Sequence, residues 1–394
     1  MDQEAIQKPK HKKHNQTQAS SNETLPLPGL PNHLAQLCLA KINPSILFSV
    51  CHSWRRLIYS PSFPPFFSLY ALLSPPPDHN PNSPIQFSSL DPISNTWTSL
   101  PSPPSDHPLH LLHRHPAFLS RKLPIQTLSV SGCLVLVAAT NHQFKPALPR
   151  PLVFQPLSNQ WSFGPPLPKP RRWCAAGTVR GKVYVASGMG TTYRGDVARS
   201  MEEWDMRRKE VSVSWVKKAG LKDGRFSREA VEAIGYRGKL WMVNVKGNAI
   251  KEGAVYDVEK DTWQDMPQGM LGGWNGPTAT SINDDDDHHD HDAMYVVDES
   301  KGVLSKYVDE NDCWEVVLDS VVLREAEQVC AGRGRVCVVV LTGLGLWWWM
   351  LWRRRQGFGL WSHRRCYKSW RYIYYLGCVG WINFLIALHD SYYE

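Results

Sequence analysis

A recurring tryptophan constrains this chain more than any other feature. Trp97, Trp161, Trp215, Trp263 and Trp314 stand at intervals of roughly 50 to 60 residues, a repeat period rather than a scatter. The surroundings recur with them. Asp91-Pro92 and Asn95 precede Trp97, and Leu100-Pro101 follow it. Phe154, Pro156 and Asn159 precede Trp161, and Pro166-Leu167-Pro168 follow. Glu203-Trp204-Asp205 lead to Trp215. Val255-Tyr256-Asp257 and Asp261 lead to Trp263 and then Met266-Pro267, while Lys306-Tyr307-Val308-Asp309 and Asp312 lead to Trp314. An aromatic strand end, an Asp/Asn turn and a returning Trp describe a β-hairpin. Asp and Asn bond their own backbone in turns, and the indole supplies a large apolar plate to pack between sheets.

A second element recurs between these hairpins. Gly181-Lys182-Val183-Tyr184-Val185-Ala186-Ser187-Gly188 is a turn, an apolar strand and a small-residue end, with Arg172 and Ala175-Ala176-Gly177 ahead of it. Gly238 to Val243 copies it, and residues 293–297 and 334–339 are weaker copies. In turn and strand spacing this pattern resembles the kelch repeat, although the double glycine of that repeat survives only as Ser187-Gly188. The resemblance implies a β-propeller over residues 85–340, with Trp97, Trp161, Gly181, Tyr184, Gly188, Trp215, Tyr256, Asp257, Trp263 and Trp314 as its structural marks. Five blades or parts of blades are visible. Residues 85–97 supply only two strands, so we expect them to complete a blade begun by residues 327–340, closing the ring and removing free sheet edges. A β-sandwich is the competing arrangement.

Ahead of the repeats the texture is helical. In residues 25–60, apolar positions fall at helical spacing: Leu30, Leu34 and Leu37, then Ile46, Leu47 and Val50, then Trp54, Leu57 and Ile58. Pro31 suits a first turn, and Pro44 divides one helix from the next. So short a segment buries little by itself and normally finishes its core against a partner. Leu27-Pro28-Gly29-Leu30-Pro31, the run through Leu39-Ala40, and Val50-Cys51-His52-Ser53-Trp54-Arg55-Arg56-Leu57 resemble an F-box. His33 stands where that family often carries an acid. The resemblance implies docking to a Skp1-type linker, and through it to a cullin, by a face near Pro28, Leu30, Pro31, Leu34 and Leu39. A plain helical cap on the next domain is the alternative. Together the two resemblances, to plant-type F-box/kelch-repeat proteins, imply a receptor subunit of a Skp1–cullin–F-box (SCF) ubiquitin ligase that holds an unidentified target protein.

The expected organisation is therefore a basic tail (1–24), an F-box (25–70), a Pro-rich linker (71–84), the propeller (85–340) and an atypical tail (341–394). In fold class this is a small α-helical F-box followed by an all-β kelch-type β-propeller, with a Trp-rich C-terminal tail outside the repeat. That tail carries two uncharged stretches, 336–352 and 372–388, each at the lower limit for a membrane span and flanked by arginines. Val336 to Val340 already serve as a propeller strand, so we expect a misread or alternatively spliced terminus here, with membrane association as the alternative.

Little points to catalysis. The net charge of +8 comes largely from Lys8 to Lys13 and from Arg353 to Arg355, Arg364 and Arg365, so no nucleic-acid surface is expected. Nine cysteines with no C-x-x-C pair read as reduced thiols of a cytoplasmic or nuclear protein, and the polar start contains no secretory leader. Asp284 to Asp287, His288, His289, Asp290, His291 and Asp292 could ligate a divalent metal, yet no scaffold spacing holds them, and an inter-strand insertion is the expectation. The glycine-rich stretch 269–276 lacks the Lys-Ser/Thr of a phosphate loop. No catalytic residue, metal or cofactor is expected. Arg171 and Arg172, beside Trp173, are the candidates for the target-binding face.

Overall fold

The computed structural model describes residues 27–58, 67–73, 86–104, 125–207, 214–227, 231–244, 251–281, 292–363 and 388–390, apart from a few positions inside these stretches. The chain divides after Pro64 into two units. The first is helical, with α1 (Asn32–Leu39), α2 (Pro44–Val50) and α3 (His52–Ile58). Pro31 stands just ahead of α1, and its carbonyl accepts the first helical bond, from the Ala35 N–H at 2.9 Å. Pro44 opens α2, where its missing N–H costs nothing.

The second unit is almost wholly β. Its described strands form six four-stranded antiparallel sheets, five of them strictly consecutive in sequence. The second sheet holds β4 (Ile125–Val130), β5 (Cys133–Ala139), β6 (Leu152–Gln155) and β7 (Gln160–Phe163). The third holds β8 (Ala175–Val179), β9 (Lys182–Ala186), β10 (Met201–Asp205) and β11 (Val216–Lys217). The fourth holds β12 (Val231–Tyr236), β13 (Lys239–Asn244), β14 (Glu252–Asp257) and β15 (Thr262–Asp265). The fifth holds β16 (Thr278–Ser281), β17 (Ala293–Asp298), β18 (Val303–Val308) and β19 (Cys313–Asp319). The sixth holds β20 (Ala326–Gly332), β21 (Arg335–Thr342), β22 (Gly345–Arg354) and β23 (Gly357–His363).

The first sheet departs from expectation. Its strands β1 (Phe67–Leu73), β2 (Gln86–Asp91) and β3 (Thr96–Ser99) pair with one another, and β24 (Leu388–Asp390) lies on the free side of β1. The register sets Phe67 opposite Asp390 and Leu69 opposite Leu388. Residues 85–97 therefore do not complete the sheet of residues 327–340, which has four strands of its own. Nor does the repeat stop at residue 340. Only two residues separate Thr342 from its partner Gly345, and the tryptophan run continues as β22 along β21. β1 likewise begins within the span given to the F-box and takes the first residues assigned to the linker.

Turn chemistry explains the hairpins. Ser131-Gly132, Arg180-Gly181 and Arg237-Gly238 each place two successive residues at positive φ, as two-residue turns between the first and second strands of a sheet require. Asn159, Asp261 and Asp312, at φ 51°, 51° and 45°, make the turn between third and fourth strands, where Asn and Asp tolerate the left-handed region.

The core is distributed between sheets. Each successive pair from the first to the sixth shares an apolar layer, for example Val135, Val137, Val183, Val185, Trp204 and Trp215 between the second and third. First strands of successive sheets lie side by side, from β4 to β8, β12, β16 and β20. Serial stacking of small sheets is incompatible with two sheets packed face to face, so the sandwich arrangement is excluded.

The marked tryptophans latch this series. Trp161 donates its indole N–H to the Pro101 carbonyl at 2.7 Å, Trp215 to Pro165 at 2.9 Å, Trp263 to Ala219 at 2.7 Å and Trp314 to Met270 at 3.1 Å. Every acceptor lies on the chain leaving the preceding sheet. The turn aspartates reinforce the latch. Asp261 accepts from the Tyr256 hydroxyl and from the Ala219 N–H, and Asp312 from the Tyr307 hydroxyl and the Gly269 and Met270 N–H groups.

Candidate protein-interaction site

Two surfaces are candidates for meeting other molecules. On the helical unit, Ala35, Leu39, Leu47 and Ile58 turn inward and are buried. The turn Leu27–Leu30, closed by the Leu30 N–H on the Leu27 carbonyl with Gly29 at φ 80°, leads the chain into α1. Arg55 donates Nε–H to the Phe48 carbonyl at 2.6 Å and lies 4.6 Å from the Phe48 ring centroid, tying α3 to α2. What remains outside is unusually apolar: Leu34 is 43% exposed, Leu37 64%, Ile46 55% and Val50 53%, with Cys38 and Cys51 also exposed. Four large apolar side chains stand exposed on two short helices, a feature of the kind that marks an interaction surface.

Of the five residues expected on this face, Leu34 and Pro31 are exposed and Leu30 is partly so, whereas Pro28 lies outside the described residues. Leu39 is a correction. At 1% exposure it belongs to the interior of the helical unit. It follows buried Ala35 by four residues and Leu37 by two, so helical spacing puts it on the inward side, away from Leu34 and Leu37. Leu37, Ile46 and Val50 were missed as face residues because an apolar residue on a short amphipathic helix is ordinarily core.

On the β unit the two rims differ. One carries the tight turns at Ser131, Arg180 and Arg237 together with the Asp/Asn turns. The other carries longer excursions, including α4 (Gly195–Ala198), the short helical turn at Arg225–Ser227, and α5 (Gln268–Gly273). Long connections on a rigid scaffold are where binding residues concentrate. Arg171 and Arg172 both stand on this loop rim, in different surroundings.

Arg171 is wholly buried. Its Nη2 lies 2.8 Å from Glu202 Oε2, Nη1 donates to the Ser187 carbonyl and to Ser200 Oγ at 3.1 and 2.9 Å, and Nε donates to the Lys169 carbonyl at 3.3 Å. It is a cross-brace, not a target contact. Arg172 is 6% exposed, and its guanidinium carbon sits 3.7 Å from the centroid of the partly exposed Trp173 ring. Burial pulls its pKa below the ordinary arginine value. Elsewhere on this rim Lys169 and Arg194 both pair with Asp196, and Arg225 with Asp223.

The repeat glycines are structural. Gly188, at φ 96°, leaves room for the Arg172 carbonyl, which a Cβ would meet at 2.8 Å. Ser187, at φ 60°, takes the place of the first glycine of the usual pair and bonds the Ala198 carbonyl through Oγ at 2.9 Å. Tyr184 donates to Glu203 at 3.0 Å beside Lys182, and Asp257 Oδ1 accepts from the Glu259 and Lys260 N–H groups. Trp97 pairs across the sheet with Leu90.

Among the described residues no group of three His, Cys, Asp or Glu side chains could hold a metal; the run 284–291 lies outside them, and Asp292 is buried. No described helix is long and apolar enough to cross a membrane.

A short helical unit with an unfinished apolar face, followed by serial kelch-type four-stranded sheets, defines a modular, β-rich interaction protein. The comparisons narrow the class. The chain is 44% identical over 350 residues, 86% of each chain, to F-box/kelch-repeat protein SKIP25 of Arabidopsis thaliana. It is 27% identical over 259 residues to F-box protein AFR of the same plant, covering 63% of this chain and 64% of that one. No protein-family profile matches it. The chain belongs to the plant F-box/kelch-repeat proteins.

Proposed function

We propose that the chain is a non-catalytic substrate receptor of an SCF-type ubiquitin ligase, acting in the cytoplasm or nucleus. The apolar face of Leu34, Leu37, Ile46 and Val50 docks a Skp1-type linker, which in turn binds a cullin, and the loop rim of the β unit holds the target. The observation that carries this reading is the exposed apolar face in a chain related along most of its length to an F-box/kelch-repeat protein.

The six sheets form a closed propeller in this reading. Its support is β24, a strand from the far end of the chain, paired with β1 and lying beside β20. Closure by distant strands gives the first sheet its fourth strand and leaves only the short outer edges of the sheets. The contribution to ubiquitin transfer is proximity. A target lysine held near the conjugating enzyme reacts at high effective concentration, and no side chain of this protein enters the chemistry.

The test is a pull-down of the full chain with a Skp1-type linker. Leu34→Asp/Leu37→Asp should abolish capture while leaving the melting temperature near wild type, because both side chains already face water. Leu39→Asp should unfold the helical unit instead. Absence of capture by well-folded wild type would leave a kelch scaffold without a ligase role.

A further inference from the structure

Two thiols meet across the first hairpin of the sixth sheet. Cys330 on β20 stands directly opposite Cys337 on β21, and the Cys330 thiol lies 3.7 Å from the Cys337 carbonyl oxygen. Residues directly opposite in an antiparallel ladder carry their side chains on the same face, with Cβ atoms about 4.5–5.5 Å apart. Alternation settles which face this is. Val336, Val338 and Val340 belong to the apolar layer shared with the fifth sheet, so Cys337, between them, points to the other side, and Cys330 with it. Both are nonetheless buried, at 2% and 5% exposure. One strand further on, Cys337 stands opposite Met350 of β22 in register. Three successive strands thus place three sulfur-bearing residues in one row.

The fold does not call for thiols there. Counted from the hairpin turn, the same third pair is Leu128 with Val135 in the second sheet, Gly177 with Tyr184 in the third and Ile234 with Trp241 in the fourth. A buried cysteine serves elsewhere in this chain as a single small apolar side chain, as Cys174 does. Among the described residues, only here do two cysteines stand opposite each other in a ladder. The donor set also limits the ligand. No third His, Cys, Asp or Glu joins the pair among the described residues, so the four ligands of structural zinc are lacking. Hard ions such as calcium and magnesium require oxygen donors, which the row does not offer. Thiolate sulfur selects monovalent copper, a soft ion.

We propose that Cys330 and Cys337 together bind one Cu(I) ion, held between their sulfurs across β20 and β21. Two S–H bonds break, two Cu–S bonds form, and the protons leave to solvent. No electron changes hands, so no oxidant is involved. The ion then ties the first two strands of the sixth sheet to each other. The site is separate from the helical unit and from the ligase reading.

The experiment is an anaerobic titration of the full chain with Cu(I) in competition with the chromophoric chelator bicinchoninate. The starting variant carries serine at Cys38, Cys51, Cys366 and Cys378, so that neither the exposed thiols of the helical unit nor those beyond β23 contribute. It should take up a single Cu(I) and melt several degrees higher with the ion than without, because a ligand that binds only the folded state stabilises it. X-ray absorption at the copper edge should show sulfur neighbours alone. Cys330→Ala and Cys337→Ala, each added to that variant, should lower Cu(I) affinity at least about a hundredfold, since loss of a direct ligand costs more than loss of an outer partner. Cys330→Val and Cys337→Val repeat the readout with the buried volume kept. Zn(II) at about tenfold excess should leave the copper in place. No uptake by a well-folded starting variant, binding retained when either thiol is gone, or displacement by Zn(II) would overturn the proposal and leave the pair as apolar packing. The linker pull-down reads the ligase role separately, so the two readings fail independently.

Discussion

Arg171 offers the sharpest test of how the third sheet is held. The guanidinium is 0% exposed and Glu202 only 8%, so their ion pair stands in a region nearly free of water. Removing Arg171 as Arg171→Met keeps most of the volume but strands the Glu202 carboxylate, a loss of about 3–5 kcal/mol. The Ser187 and Lys169 carbonyls lose a donor as well. Removing both charges as Arg171→Met/Glu202→Leu should recover most of that loss, and a double variant equal to wild type or more stable is expected, because desolvating the pair costs about as much as the pair returns. Four urea-denaturation curves on the full chain give the coupling energy, provided the m-values agree. A single Arg171→Met loss below about 1 kcal/mol, or a double variant as unstable as the worse single, would refute the reasoning.

The close approach of β8 and β12 makes a second prediction. A Cβ at Gly235 would stand 1.7 Å from the Thr178 carbonyl oxygen, which is backbone, whereas one at Gly177 meets only the end of the Leu240 side chain, at 2.4 Å. Gly235→Ala should cost about 3 kcal/mol or more and Gly177→Ala about 1 kcal/mol, read from urea midpoints; equal losses would contradict the geometry. A third concerns acid. The Tyr256 hydroxyl and then the Ala219 N–H hold the Asp261 carboxyl below its ordinary pKa. Its contribution is therefore fully present above the unfolded value near 4 and is lost as pH falls through the lower folded value. Asp261→Asn should be less stable than wild type at pH 7, and the gap should narrow toward pH 3; a gap constant with pH would show that the carboxylate charge carries nothing.

Much of the β unit could be read from its aromatic residues because the second, fourth and fifth sheets each carry one conspicuous hairpin. Phe154 opposite Trp161, Tyr256 opposite Trp263 and Tyr307 opposite Trp314 are cross-strand pairs with ring centroids 5.1–5.2 Å apart, and their Asn or Asp turns are compulsory at positive φ. The third strand of the sixth sheet was illegible for the opposite reason. Its run Leu346 to Trp352 is apolar at every position, so it lacks the alternation that announces a strand, and length alone resembled a membrane segment. Pairing of that run with β21, not its composition, makes it a strand. Arg171 and Arg172 are adjacent and identical in type, and no local pattern shows which of them is the brace. The distinction depends on Glu202, which is brought beside Arg171 only by the folded hairpin.

The latches also explain how one mark per sheet suffices to order the whole series. Trp263 lies on the outermost strand of the fourth sheet, yet its acceptor, Ala219, belongs to the segment leaving the third. Asp261 returns a second bond to the same residue. Trp314 and Asp312 do the same between the fifth sheet and Met270. Each bond is therefore made only when two neighbouring sheets are both formed and in register, so a sheet gains stability from its neighbour as well as from its own strands. A repeat diverged everywhere else, with its double glycine gone, keeps its order as long as these few side chains persist. The latch acceptors Ala219 and Met270 lie on connections that form the loop rim, so that rim too is tied into the stack.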